Sequence, residues 1–96
     1  MSYNLKFLPS ALKEWNKLGE TVRIQFKKKL RERLLDPVVP ADRLRGQSDY
    51  YKIKLRSSGY RMVYEVRKEE VTVYVIAVGR RENHAVYRAA ERRRRK

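Results

Sequence analysis

The chain has 96 residues, with 25 Lys or Arg against 11 Asp or Glu, for a formal charge of +14. Its length holds one small domain and excludes a second domain or a deep cavity. With no Cys and a single His, it excludes disulfides, thiol chemistry and a His-pair mechanism within one chain, and it lacks zinc's usual ligands.

Tyr3, Leu5 and Phe7 alternate with Asn4 and Lys6, which predicts a short first strand. Pro9 suits the first turn of a helix, where a missing N–H costs nothing. Ala11, Leu12, Trp15 and Leu18 fall at helical spacing on one face, and Gly19 fits the stop. A second helix is predicted from Glu20 to Leu35, with an i+4 apolar line of Val22, Phe26, Leu30 and Leu34, and with Leu35 beside it. Pro37 and Pro40 end it. Trp15 and Phe26 read as core anchors between the two helices. Arg23, Lys27 and Arg31 make a second i+4 row, widened by Lys28 and Lys29, with Glu32 as almost the only counter-charge. That face is either a solvated helix surface or a contact for an RNA backbone.

Residues 36–49 read as a loop with a short turn, containing Arg43-Leu44-Arg45-Gly46. A β-hairpin follows. Tyr51, Ile53 and Leu55 alternate with Lys52, Lys54 and Arg56, so one face is apolar and the other cationic. Gly59 with Ser57 and Ser58 marks the turn, because Gly tolerates positive φ and Ser bonds its local backbone. Tyr60, Met62, Tyr64 and Val66 then alternate with Arg61, Val63, Glu65 and Arg67. A two-residue loop sets Lys54 opposite Arg61, and a four-residue loop sets Lys54 opposite Val63. Either even length gathers Lys52, Lys54 and Arg61 on one face and the large apolar residues on the other. An odd loop mixes them and is rejected.

Arg67 to Glu70 supplies the next turn, and Val71 to Val78 forms a last strand, apolar nearly throughout and therefore central or covered on both faces. Gly79 is expected to end it and to place Arg80 and Arg81 at its tip. A short helix from Asn83 to Arg92 carries His84, Tyr87 and Arg88, with His84 expected to be exposed near its start. Residues 92–96 form a basic block expected to fray. The order of elements predicts an α+β single domain, a mostly antiparallel sheet with a helical hairpin packed on one face.

The positive charge favours a polyanion, whether RNA, DNA or an anionic membrane, and predicts binding that weakens steeply with salt. No apolar run approaches the roughly 18 residues of a membrane span, and the start has no signal-peptide core, so a cytoplasmic location is expected. Three cations gathered on one sheet face repel one another, and a phosphodiester is the obvious anion to join them. The candidate site residues are Arg45, Lys52, Lys54, Arg61, Arg81 and Tyr87. Cleaving RNA without a metal requires a base for the 2′-hydroxyl proton, cations for the charged phosphorane, and an acid for the 5′-oxygen. The usual agents are His and Glu. Here Lys and Arg would have to do that work, which is possible because a lysine crowded by cations has its pKa lowered. Lys54, flanked by Lys52 and near Arg61, is the lysine so placed. The default reading of Tyr87, on a short helix, is as a residue that caps the core.

The run Tyr51-Lys52-Ile53-Lys54-Leu55-Arg56-Ser57-Ser58-Gly59-Tyr60-Arg61-Met62-Val63-Tyr64 closely resembles the RelE family of bacterial toxins. So do Ala11-Leu12-Lys13-Glu14-Trp15, Lys17-Leu18-Gly19, Leu44-Arg45-Gly46 and Val78-Gly79-Arg80-Arg81-Glu82. The likeness covers nearly the whole chain, in order. It implies one RelE-like, microbial RNase-like domain over residues 1–96. It further implies a toxin of a type II toxin–antitoxin system that inhibits translation as a ribosome-dependent endoribonuclease, an mRNA interferase. Such a protein enters the A site of the 70S ribosome, against 16S rRNA, and cuts the mRNA codon there by 2′-hydroxyl attack, with no metal and no cofactor. The implied partners are ribosome, mRNA and a RelB-like antitoxin, with operator DNA bound only through the antitoxin complex and no membrane.

Carried over by position, the family's catalytic residues fall on Lys52, Lys54, Arg61, Arg81 and Tyr87, and Arg45 matches a position that touches mRNA. On this resemblance Lys54 is the base, helped by the charge of Lys52. Arg61 holds the scissile phosphate, Arg81 stabilises or protonates the leaving oxygen, and Tyr87 stacks on or orients the nucleotide. The helix face of Arg23, Lys27, Lys28 and Arg31 would grip ribosomal RNA. One departure is the ending Glu91-Arg92-Arg93-Arg94-Arg95-Lys96, more basic than the partly apolar last helix common in the family. The main alternative is a non-catalytic basic RNA- or ribosome-binding module. A stand-alone DNA-binding protein comes third, since no helix-turn-helix spacing is evident.

Overall fold

The computed structural model describes residues 2–46 and 49–94. Four alternating stretches form strands: β1 (Asn4–Phe7), β2 (Tyr50–Leu55), β3 (Tyr60–Arg67) and β4 (Thr72–Arg80). Three helices accompany them: α1 (Pro9–Asn16), α2 (Glu20–Leu35) and α3 (Ala85–Arg94). Short 3₁₀ turns occupy Pro40–Asp42 and Glu82–His84. The sheet order is β1-β4-β3-β2, with β1 parallel to β4 and the other pairs antiparallel. The near-continuous apolar run of β4 thus takes an interior position. This is the expected α+β arrangement, with the α1–α2 hairpin on one sheet face.

The two faces carry two cores. Ile53, Leu55, Met62, Tyr64, Val66, Val73, Val75 and Val78 pack against Ala11, Leu18, Phe26 and Leu30 from the hairpin side. Each large apolar side chain buried there contributes about 1.5–3 kcal/mol. Trp15 bridges the layers, 5.5 Å from the Phe7 ring and 6.2 Å from Phe26. The opposite face holds a smaller cluster in which Val63, Ile76 and Ala77 meet Val86, Ala89 and Ala90 of α3. A β-bulge between Val63 and Tyr64 explains how adjacent Ile76 and Ala77 can both serve that second core, because the extra residue shifts the alternation of β4. The cationic face is therefore only half open, since α3 covers the rest.

Several expectations are corrected. α1 ends at Asn16, so Leu18 reaches the core from the connection, and Leu12 is 44% exposed. Gly79 does not end β4, which runs on to Arg80, and its φ is not positive. It pairs instead with Arg61, giving that long side chain a cross-strand neighbour with no side chain. The last helix begins at Ala85, after a 3₁₀ turn, and continues through Arg94 instead of fraying from Arg92. Arg93 is held in place: it donates 2.9 Å and 3.1 Å bonds to the Glu14 carboxylate and a 2.7 Å bond to the Ile76 carbonyl. Glu14 in turn accepts the Val78 N–H at 3.0 Å. This pair seals the edge of β4 beyond its last partner in β1, Phe7. The last two residues of the basic block, 95 and 96, lie outside the described ones.

Candidate active site

The hairpin's register places Lys54 opposite Arg61 and Lys52 opposite Val63, the arrangement of the shorter loop. Strand pairing closes at Leu55 and Tyr60, and Arg56 to Gly59 make the turn. Gly59 adopts φ +76°, a left-handed conformation that other residues rarely take, and donates its N–H to Leu55 at 2.9 Å. Its carbonyl accepts the Arg81 N–H at 2.9 Å, so the hairpin turn fixes where Arg81 begins. The Arg81 carbonyl accepts the His84 N–H at 3.0 Å, which closes the 3₁₀ turn leading into α3.

These elements enclose one open cleft of about 600 Å³. All six of Arg45, Lys52, Lys54, Arg61, Arg81 and Tyr87 line it, so three sheet residues, one loop residue and two from the C-terminal segment converge. Arg61 is only 8% exposed and donates to its neighbour Tyr60's carbonyl at 2.9 Å. Tyr87 is half-buried, packed against the second core on one side and lining the cleft on the other. Burial pushes its phenol pKa up, and the Arg61 guanidinium opposes that rise. Sequence reasoning missed Leu44, His84, Arg88 and Glu91 as lining residues. For the two in α3, the offsets Arg88-Glu91 (i+3) and Tyr87-Glu91 (i+4) would have put them on one face with Tyr87, whereas His84 precedes the helix at positive φ, outside that pattern.

The charges sort themselves. Outside the cleft, three arginines are held by carboxylates: Arg33 by Asp42, Arg67 by Glu65, and Arg93 by Glu14. Arg43, Arg67 and Arg80 lie over the rings of Tyr51, Tyr74 and Tyr60 at 5.5, 4.1 and 4.8 Å. Arg45, Lys52, Lys54, Arg61, Arg81 and Arg88 line the cleft against one lining carboxylate, Glu91. Such an excess of cations around a concave surface suits an anion.

Arg33 lies outside the cleft but ties down the elements beside it. Its guanidinium donates to the Lys52 carbonyl at 3.2 Å, to the Tyr64 hydroxyl at 2.8 Å, and to the Asp42 carboxylate. Tyr64 donates its own hydroxyl to the Pro37 carbonyl at 2.8 Å. Burial disfavours the charge of Arg33, but Tyr64 and Asp42 outweigh it and hold the guanidinium pKa above its usual value. The loop that carries Leu44 and Arg45 is thereby fastened to α2 and β2.

The predicted helix face divides in two. Arg23 leans toward α1, with its guanidinium 3.5 Å from the Asn16 carbonyl, and Lys27 and Arg31 follow it along that flank. Lys28 and Lys29 lie on the other flank, where they share a shallower groove with Lys54 and Arg56. Only Lys28, of the four helix residues expected to contact RNA, is thus continuous with the cleft through Lys54.

A small α+β fold with a cluster of cations at one end of its sheet is the makeup of a protein that binds an anionic partner. The family described as the ParE toxin of type II toxin–antitoxin systems, parDE, matches residues 5–85. The mRNA interferase toxin RelE of Escherichia coli (strain K12) is 59% identical over 93 residues, 97% of this chain and 98% of that one. A putative RelE-like toxin protein of Escherichia coli is 48% identical over the same shares. Among solved structures, a double mutant of the E. coli toxin RelE in the free state superposes with a TM-score of 0.90 at 58% identity, covering 97% of this chain and 98% of that one. RelE in the intact E. coli RelBE toxin–antitoxin complex gives 0.82 at 60% identity, covering 84% and 99%. The chain belongs to the RelE family of bacterial toxins.

Proposed function

We propose that this protein is the toxin of a RelBE-type system and an mRNA interferase that cuts mRNA in the ribosomal A site. The observation that carries this reading is the convergence of Lys52, Lys54, Arg61, Arg81 and Tyr87 on one cleft whose lining cations far outnumber its one lining carboxylate, Glu91. The scissile phosphate lies against Arg61. Lys54 takes the 2′-hydroxyl proton as the 2′-oxygen attacks phosphorus, with Lys52 adding positive charge. Arg81 offsets the negative charge growing on the departing 5′-oxygen, and Tyr87 stacks on or orients the nucleotide. The products are a 2′,3′-cyclic phosphate and a 5′-hydroxyl, with no metal and no cofactor consumed. The ribosome supplies the in-line substrate geometry, and the protein supplies charge and positioning.

RelE is seen with its antitoxin RelB in the E. coli RelBE complex. By that likeness a RelB-like antitoxin silences this chain, and operator DNA is bound only by the joint complex. Arg45 contacts mRNA, and Arg23, Lys27, Lys28 and Arg31 face ribosomal RNA. Reversing Lys27 and Arg31 to Glu weakens 70S binding by about tenfold or more at low salt, since two charges change sign at an RNA contact, a net change of about four units. The melting temperature stays within a few degrees, because both side chains are exposed. Unchanged binding would return that flank to solvent.

The deciding experiment is primer extension on a defined mRNA in 70S ribosomes, with the parent chain, with Arg81→Ala, and with free RNA as control. A new 3′ end within the A-site codon, present only with ribosomes and lost in the variant, is expected. Tight ribosome binding without a new end would make the protein a blocking module.

A further inference from the structure

An anion cleft has no evident need of an acid, yet one lines it. Among the described residues, six cations border the cleft, Arg45, Lys52, Lys54, Arg61, Arg81 and Arg88, and Glu91 is the lone carboxylate with them. Other acidic side chains have tasks or places elsewhere. Glu14 and Asp42 each hold an arginine, and Asp49, Glu65, Glu69 and Glu70 gather in a shallow groove by the turn between β3 and β4. The roles given to the cleft's cations and to Tyr87 leave Glu91 unused.

Glu91 opens the last turn of α3, whose other residues are Arg92, Arg93 and Arg94. The carbonyl end of a helix favours cations and disfavours a carboxylate, so α3 itself does not ask for an acid there. Glu91 is exposed, so packing does not ask for it either. The plainer account is a surface pair with Arg88 or Arg94 along α3, which stabilises the helix slightly and leaves binding alone. But Glu91 stands three residues from Arg88 and four from Tyr87, on the flank of α3 that borders the cleft. A carboxylate so placed attracts the same cations that a phosphate uses, and it repels the phosphate itself.

We propose that Glu91 is an affinity-setting residue of this cleft, a carboxylate that competes with the mRNA phosphates for the same cations. The proposal rests on the interferase reading for the identity of the anion. When the strand enters, its phosphates displace the carboxylate from those cations. When the cut strand leaves, the carboxylate takes their place. Binding is thereby weaker than six cations alone would make it. A grip equally tight on substrate and product adds nothing to the chemical step once the site is filled, and it slows release. The other use of a carboxylate in an RNA site is to read the edge of a base. The two roles have opposite signs: removing a competitor tightens binding, and removing a reader loosens it.

The test measures binding of a short 2′-O-methyl RNA to the parent chain, to Glu91→Gln and to Glu69→Gln. That strand lacks the attacking hydroxyl and stays uncut. Each substitution removes one negative charge, but Glu69 belongs to the acidic groove by the turn between β3 and β4. Glu91→Gln is expected to bind about three- to tenfold more tightly at low salt, a gap that narrows as salt rises, while Glu69→Gln stays within about twofold of the parent. With programmed 70S ribosomes in excess, repeated cleavage by Glu91→Gln slows more than its single-turnover cleavage, because release is held back. Equal tightening in both variants would reduce the effect to net charge and overturn the proposal. Unchanged binding with a lower melting temperature, the mark of a helix pair, would overturn it too, as would weaker binding, the mark of a base reader. If the parent leaves ribosome-bound mRNA intact, the interferase reading fails on its own, and binding of the uncut strand still decides the role of Glu91.

Discussion

Replacing Lys54 by Ala lowers single-turnover cleavage of ribosome-bound mRNA by about 10²–10⁴-fold, the usual worth of a positioned acid or base. Binding of the 70S ribosome falls by less than about threefold, because one phosphate contact among many is lost. Quench-flow cleavage and filter binding on the same ribosomes separate the two effects. The fold is not at risk: Lys54 is half-exposed, its backbone is held by β3, and the apolar residues on either side of it, Ile53 and Leu55, face the other core. Equal losses in cleavage and binding would remove Lys54 from the role of base and leave it a phosphate grip. Arg61, opposite it, is unsuited to this comparison because its burial ties its loss to packing as well as charge.

The second large effect is on stability. Arg33→Met should cost about 2–4 kcal/mol, since it strands the Asp42 carboxylate and withdraws donors from the Tyr64 hydroxyl and the Lys52 carbonyl at once. For a domain of this size that is roughly 10–25 °C in melting temperature. Double replacement, Arg33→Met with Asp42→Leu, should recover part of the loss by leaving no charge behind. Calorimetry of the two variants checks it. A loss below about 1 kcal/mol for Arg33→Met would show that the loop bearing Arg45 is held by its backbone bonds alone.

The hairpin was readable because its information is local. Strict alternation from Tyr51 to Leu55, two serines and Gly59 leave only even loops, and an even loop gathers Lys52, Lys54 and Arg61 whichever length forms. The limits of α2 were equally plain, with Gly19 before it and Pro37 after it. What escaped was non-local. Nothing near Arg33 in sequence announces Asp42 or Tyr64, and the bonds between them exist only when α2 lies across β2. Leu12 has the spacing of a core residue, yet the short α1 turns it outward. Gly79 resembles a strand end, but its neighbour across the sheet is Arg61, and the strand runs past it. His84 was read as exposed, and it is, but exposure to solvent and exposure to a cleft are alike in a sequence.

The Glu14–Arg93 pair joins residues 79 positions apart, nearly the full length of the chain. A contact of such separation forms late, after shorter-range pairing has brought its ends together. Until Arg93 has left the peptide exit tunnel, α3 has no clasp on the edge of β4, and the wall of the cleft that carries Tyr87 and Arg88 is incomplete. The sheet, hairpin and both lysines are all made earlier. A nascent chain whose Arg93 is still inside the tunnel therefore presents the basic sheet face before the cleft has closed around it.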